Sequence, residues 1–245
     1  MLNITSINNP KVQFVKKLVK SKSFRYENRL FVAEGYNIVK DIPDHLIDEL
    51  YITSEAILKY KDIIKKSSNI IECSEKVMSS MADTVTPSGV LAVCKMLDVE
   101  KKEYDKAILV DNLNDPGNMG TIIRTAVACE VECIYLYGNT VDVYSPKVVR
   151  SSMGGVFHIT PIEVDISDLD NLIVLDMKGE NIFDLSNSYD KFTLVVGNEA
   201  HGVSSPLREK AMKTISLPMS DKMESLNAGV SISIALYQLI YGGKK

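Results

Sequence analysis

Four unbroken apolar runs constrain this chain more than any other feature. They are AILV at 107–110, CIYL at 133–136, LIVL at 172–175 and TLVV at 193–196. A strand with one wet face alternates apolar and polar residues. A continuous run needs cover on both faces, as in a parallel sheet with helices on either side. Each run ends in a polar or glycine-bearing loop, at 111–117, 138–146, 176–180 and 197–205. Ligands of open α/β sheets sit beyond the carboxyl ends of the strands, so all four loops are expected on one edge. None of them carries GxGxxG or GxxxxGKS/T, which argues against a dinucleotide or P-loop site.

Residues 1–96 read differently, as short apolar runs at 30–32, 50–52, 70–71 and 90–93 separated by helix-like stretches at 36–41, 54–65 and 74–81. Pro10 suits a helix start, and Val12, Val15, Leu18 and Val19 keep helical spacing behind it. The charged stretch DVEKKEYDK at 98–106 has no apolar face. The expected organisation is a small α/β domain at 1–97, a linker at 98–106 and a larger α/β domain at 107–245.

Charge separates the same two regions. The chain is formally −4. In residues 1–40, Lys11, Lys16, Lys17, Lys20, Lys22, Arg25, Arg29 and Lys40 oppose only Glu27 and Glu34, giving +6 and leaving −10 on the remaining 205 residues. Clustered cations on an acidic protein suit a local polyanion contact, because binding phosphates releases counterions. A solvated lysine-rich helix face is the other reading.

A composition of 45% hydrophobic and 24% charged residues is that of an ordinary globular chain. No apolar run reaches the about 18 residues of a membrane helix, and the first ten residues do not look like a secretory signal. Cys73, Cys94, Cys129 and Cys133 show no paired-motif spacing. They read as reduced thiols of a cytoplasmic protein. His45, His158 and His201 are widely separated, so no metal site is expected.

Three segments carry candidate chemistry. In DPGNMGTIIRTA (115–126), Asp115-Pro116 marks a helix start, Met119, Ile122, Ile123 and Ala126 form an apolar face, and Gly117, Gly120, Thr121 and Arg124 form another. An arginine on a face bare of large side chains can meet a phosphate or ribose closely, or simply lie over a close helix contact. In VGNEAHG (196–202), Gly197 follows a buried run and allows close approach to the backbone. Glu199 there suits ribose hydroxyls, or equally a cap or salt bridge. In LPMSDKMESLNAGVSISIA (217–235), Ser225 or Asn227 suits a helix cap. The helix beyond is apolar almost all round, as at a subunit interface.

In this order the three segments resemble the motifs of the SpoU/TrmH family of RNA ribose 2′-O-methyltransferases, within the SPOUT superfamily. YSPKVVRSSMGG (144–155) resembles the stretch between its first two motifs. SINNPKVQFVKKL (6–18) through RLFVAEGYNIV (29–39) resembles the ribosomal-protein-like RNA-binding domain of many members. Two departures are Glu130, where members often have glycine, and His201, at a variable position.

The resemblance implies a deep trefoil knot in the C-terminal domain, S-adenosylmethionine as cofactor, and a homodimer; no metal and no membrane are expected from the residues themselves. It places Asn118, Arg124, Glu199, Ser225 and Asn227 at catalytic or substrate-facing positions, and Gly197, Leu217 and Leu226, with Asp176 and Met177, around the cofactor. Lys11, Lys16, Lys17, Lys20, Arg25, Arg29 and Arg150 are the expected RNA contacts. The implied substrate is structured RNA, ribosomal before transfer RNA. A silent RNA-binding or ribosome-assembly factor and a small-molecule enzyme are the competing classes. Arginine stays protonated at working pH, so Arg124 is expected to steady a forming alkoxide rather than to act as base.

Overall fold

The computed structural model describes residues 2–99, 104–185 and 189–242. The chain divides into two compact units, Met1–Leu97 with Tyr144–Phe157, and Asp98–Val143 with His158–Lys245.

The first unit contains β1 (Leu2–Ile4), α1 (Pro10–Lys20), α2 (Lys22–Asn28), β2 (Leu30–Glu34), α3 (Tyr36–Val39), β3 (Ile47–Ile52), α4 (Ser54–Lys59), β4 (Ile70–Cys73), α5 (Glu75–Met81) and β5 (Val90–Lys95). Its sheet is mixed, in the order β1-β4-β3-β5-β2. Asn9 caps α1 by accepting from the Lys11 N–H (3.0 Å), with Pro10 in the first turn. Val12, Val15 and Leu18 are fully buried in a core with Val77, Met78 and Met81 of α5. The helical spacing read from the sequence therefore points inward.

Arg25 departs from expectation. It is only 4% exposed and donates to the main-chain oxygens of Leu18 (2.5 Å) and Val19 (3.1 Å). These carbonyls sit at the end of α1, where intrahelical donors run out, and a guanidinium fork is well shaped to meet them. The residue stabilises a helix end instead of meeting RNA.

The helix expected at 54–65 is instead α4 and a separate 3₁₀ turn, Ile63–Lys66, because Tyr60 leaves helical backbone angles (φ −122°, ψ 66°).

The second unit contains β6 (Lys106–Asp111), α6 (Pro116–Ala128), β7 (Cys133–Tyr137), β8 (Thr160–Glu163), β9 (Leu172–Asn181), β10 (Phe192–Val196), α8 (Ser205–Glu209), β11 (Lys213–Ser216) and α9 (Ala228–Tyr241). The short helix α7 (Pro146–Ser151) belongs to the first unit. There Phe31 packs against the rings of Tyr144 (4.7 Å) and Phe157 (5.6 Å), and Arg150 pairs with Asp83 (2.7 Å). These contacts move residues 144–157 out of the domain expected at 107–245.

The sheet of the second unit has six strands in the order β11-β9-β10-β6-β7-β8 among the described residues, with every pairing parallel. Ala107, Ile108, Leu109 and Val110 are at most 1% exposed, as the unbroken run requires. One irregularity matters. Val174 pairs with Thr214, but the next rung joins Glu180 to Ile215, so residues 175–179 leave the β11 ladder as an irregularity within β9. Gly179 ends it, and any side chain there would overlap the Ile215 main chain.

All four cysteines are free and buried. Burial pushes the Cys73 and Cys133 thiols up to about 12. Arg25→Ala leaves two helix-end carbonyls without their charged donor. The expected loss is about 2 kcal/mol of unfolding free energy in urea, with retention on heparin unchanged in the folded protein.

Candidate active site

The site is built on Asp111, the last residue of β6 and only 1% exposed. One carboxylate oxygen accepts from the Asn112 side-chain amide (2.7 Å), the other from the Ser204 N–H (2.6 Å). Asn112 adopts left-handed backbone (φ 53°). Its main-chain oxygen accepts from the side chains of Asn198 (2.9 Å) and Asn114 (3.1 Å), and its side-chain oxygen accepts from the Asn139 N–H (2.8 Å). The loops after β6, β7 and β10 are thereby tied together.

Within the loop after β10, Asn198 and Gly202 exchange main-chain hydrogen bonds (3.1 and 2.9 Å), and the Asn198 side chain accepts from Ala200 N–H (2.9 Å) and His201 N–H (3.3 Å). Gly197 lies so close to the Gly202–Val203 main chain that a Cβ would overlap it. Here the glycine serves contact between backbone segments. Glu199 stands exposed on this braced loop.

Helix α6 supplies the second side. The Asp115 carboxylate caps it by accepting from Asn118 N–H (2.7 Å), while Met119, Ile122, Ile123 and Ala126 are fully buried. Asn118 is 6% exposed, and its amide donates to Glu199 (2.8 Å). This bond joins the first and second motifs across 81 residues. Gly117, Thr121 and Arg124 occupy the exposed face. Arg124 makes no hydrogen bond or ion pair among the described residues.

Helix α9 brings in the third motif. Asn227 caps it by accepting from Val230 N–H (3.2 Å), so its side-chain oxygen is committed locally. A Cβ on Gly229 would lie 3.0 Å from Thr121, and Thr125 shares a hydrogen bond with Ser233 (2.7 Å). The two helices thus meet through small and hydroxylated residues. Ser225 is exposed and makes no hydrogen bond among the described residues.

Of the expected cofactor residues, Gly197, Leu217 and Leu226 lie beyond the carboxyl ends of β10 and β11, whereas Asp176 and Met177 lie within the irregular part of β9. Met177 is 65% exposed at the 175–179 excursion, Leu226 is 40% exposed, and Leu217 is half-buried just after β11. Exposed apolar side chains beside open backbone suit an adenosyl group. Asp176 is engaged, through an ion pair with Arg208 (2.9 Å). Arg208 also donates to the Val203 main-chain oxygen (2.6 Å), linking the two loops. Nothing in the motifs pointed to Arg208, which occupies an unremarked place in the last turn of α8. No cluster of potential metal ligands occurs among the described residues.

The expected RNA contacts divide in the first unit. Lys11 pairs with Glu49, Arg29 donates to the Leu97 oxygen (3.1 Å), and Arg150 is held by Asp83. Lys17 and Lys20 remain exposed and Lys16 partly so, with Lys17 also lying over the Phe24 ring (5.7 Å).

Comparison with known proteins follows the two units. The model of the SpoU rRNA Methylase family matches residues 105–237, and that of the MRM3-like substrate binding domain matches residues 9–92. The 23S rRNA (guanosine(2553)-2′-O)-methyltransferase RlmP of Bacillus subtilis is 33% identical, over 98% of this chain and 99% of its own. The AdoMet-bound rRNA methyltransferase of Sinorhizobium meliloti superposes with a TM-score of 0.82 at 27% identity, covering 97% of this chain and 96% of its own. The SpoU methyltransferase AviRb of Streptomyces viridochromogenes shares the fold, with a TM-score of 0.82 at 24% identity over 96% and 98% of the two chains.

Asp111→Ala strands the Ser204 N–H and the Asn112 amide. The expected cost is about 3 kcal/mol of stability, read by urea unfolding, together with faster hydrogen exchange at the Ser204 amide.

Proposed function

The chain belongs to the SpoU rRNA methylase family, and on that premise we propose that it methylates a ribose 2′-hydroxyl of ribosomal RNA with S-adenosylmethionine as donor. The observation that carries this reading is the Asn118–Glu199 hydrogen bond (2.8 Å) on the helix that presents the unpaired Arg124. It unites the first two motifs at one sheet edge, beside an arginine that makes no ion pair among the described residues.

When bound, S-adenosylmethionine supplies an activated methyl group. The protein must therefore orient the acceptor and stabilise the oxygen as it loses its proton. Arg124 sits on an exposed helix face beside Gly117 and Thr121, where a phosphate and its ribose can approach closely. Its guanidinium stabilises negative charge developing on the 2′-oxygen and grips the adjoining phosphate. Glu199 fixes the Asn118 amide, which a cap from Asp115 already positions. Ser225, exposed on the loop before α9, is free to bond the hydroxyl or pass its proton on. Asn227, with its oxygen on Val230 N–H, orients that loop.

In this reading the second unit is a trefoil knot. The match of residues 105–237 to the SpoU rRNA Methylase family, whose resemblance implies the knot, supports it. A homodimer is proposed as well, supported by the exposed apolar residues Val230, Ile234, Tyr237 and Tyr241 on α9. The first unit holds the RNA, as its match to a substrate-binding domain suggests. A catalytically silent factor would have no need of an intact Asn118, Arg124 and Glu199.

Arg124→Lys keeps the charge and loses the planar fork. Turnover on a 23S rRNA transcript is expected to fall about 100-fold, with S-adenosylmethionine affinity unchanged by calorimetry. The product is read as alkali-resistant dinucleotide, since a methylated 2′-oxygen cannot attack its own phosphodiester. Wild-type turnover in the lysine variant would refute the scheme. Reversing Lys16, Lys17 and Lys20 to Glu is expected to weaken transcript binding and to flatten its salt dependence by about 0.7 per lost phosphate contact.

A further inference from the structure

The first unit carries a second cationic feature, away from α1 in sequence and built differently. Tyr36 and Tyr60 stack with ring centroids 4.0 Å apart and planes within 13° of parallel. Lys40 lies over the Tyr36 ring (5.7 Å) and Lys59 over the Tyr60 ring (5.1 Å). Both tyrosines are only half-buried, so the pair is not core.

The sequence delivers this pair by fixed local structure. Gly35, at φ +100°, turns the chain out of β2, and Tyr36 follows as the first residue of α3. The Tyr36 N–H donates to the Ser88 hydroxyl (3.2 Å), and its phenol donates to Asp62 (3.2 Å). Ser88 belongs to the 82–89 loop, which buried Glu34 holds by accepting from Asp83 N–H (2.8 Å), Thr84 N–H (3.3 Å) and the Thr84 hydroxyl. Tyr60 ends α4, its N–H donating to the Ala56 oxygen (2.8 Å). Two rings are thus held at the surface before any ligand arrives.

We infer that the Tyr36–Tyr60 pair, flanked by Lys40 and Lys59, is a stacking ledge for an unpaired base of the RNA substrate. The inner faces of the rings cover each other and a lysine lies over each ring, so a base stacks on an outer face by displacing Lys40 or Lys59, whose ammonium then meets the adjoining phosphate. Residues 54–66 carry Lys59, Lys61, Lys65 and Lys66 against Glu55 and Asp62, and although Lys66 is paired with Asp44 (2.9 Å), the other three lysines leave a local cationic excess over the two carboxylates. The alternative is packing that merely clamps the 82–89 loop, which would serve stability and not binding. The inference rests on the reading of the first unit as the RNA-holding part. It adds that recognition includes single-stranded nucleotides, not only the shape and phosphates of a helix.

The test uses the full chain and two probes: a 23S rRNA transcript, and a single-stranded RNA dodecamer containing one 2-aminopurine. In the parent protein the dodecamer's fluorescence is quenched on binding. Tyr36→Ala and Tyr60→Ala each weaken dodecamer and transcript binding about tenfold, raise the KM for transcript more than they lower kcat, and abolish the quenching. Tyr36→Phe and Tyr60→Phe restore both binding and quenching. Thermal unfolding and S-adenosylmethionine binding report whether the alanine variants remain folded. Quenching and affinity at parent levels in folded alanine variants would overturn the ledge. So would a Tyr36→Phe variant as defective as Tyr36→Ala, since that would locate the effect in the Asp62 contact. A parent that binds and quenches the dodecamer but leaves the transcript unmethylated would instead count against the proposed reaction and leave the ledge standing.

Discussion

A buried carboxylate holds the reacting edge of this protein together. Removing Asp111 from water is costly unless each oxygen is met by a donor. Here the donors come from different loops: the Asn112 side chain beside it and the Ser204 main chain 93 residues away. Because Asn112 in turn accepts from Asn198 and from Asn139 N–H, the requirement to satisfy one charge sets the positions of three loop segments. Glu199 then meets Asn118 at 2.8 Å as a consequence of that bracing. The arrangement is preorganised, which is what a reaction relying on orientation and charge stabilisation demands.

The two units divide the work along chemical lines. Among the described residues the second keeps Arg124 and Ser225 uncommitted and ties Asp111, Asn112, Asn118, Asn198 and Glu199 together. The first spends several cations internally, with Arg25 on helix-end carbonyls, Lys11 on Glu49 and Arg150 on Asp83. Net charge in the first forty residues therefore overstates what is available to a polyanion. The share left for a polyanion lies with Lys16, Lys17, Lys20, Lys22 and Lys40, to which Lys59 beside the stacked tyrosines adds from outside that stretch.

Much of the second unit was legible in the sequence because burial on both faces leaves no alternation. The runs at 107–110 and 172–175 could be little else than inner strands. Asp115-Pro116 announced α6 for a local reason, a cap and a ring already set at helical φ. What escaped depends on distant partners. Arg25 looked like any lysine-rich helix's neighbour until the fold turned it under α1. Residues 144–157 looked continuous with the larger domain, but Tyr144 and Phe157 are drawn to Phe31, more than a hundred positions away. The 175–179 excursion was readable only as a polar loop, since its cause is the partner register on β11. Of the candidate site, the residue types, their order and a cap at Ser225 or Asn227 were legible, while the choice of Asn227 and the role of Asp176 as an ion-pair partner required the geometry.

At Gly197 and Gly179, main chain rests directly on main chain, with no room for one further carbon. Such places resist the ordinary drift by which surface loops lengthen and diversify. Descendants of this chain that acquire new targets would have to vary elsewhere, on the outer faces of the helices or in the smaller unit. Intolerance at these two glycines in a saturation library would then be a record of how closely backbone packs on backbone, and should not be mistaken for a fingerprint of the reaction.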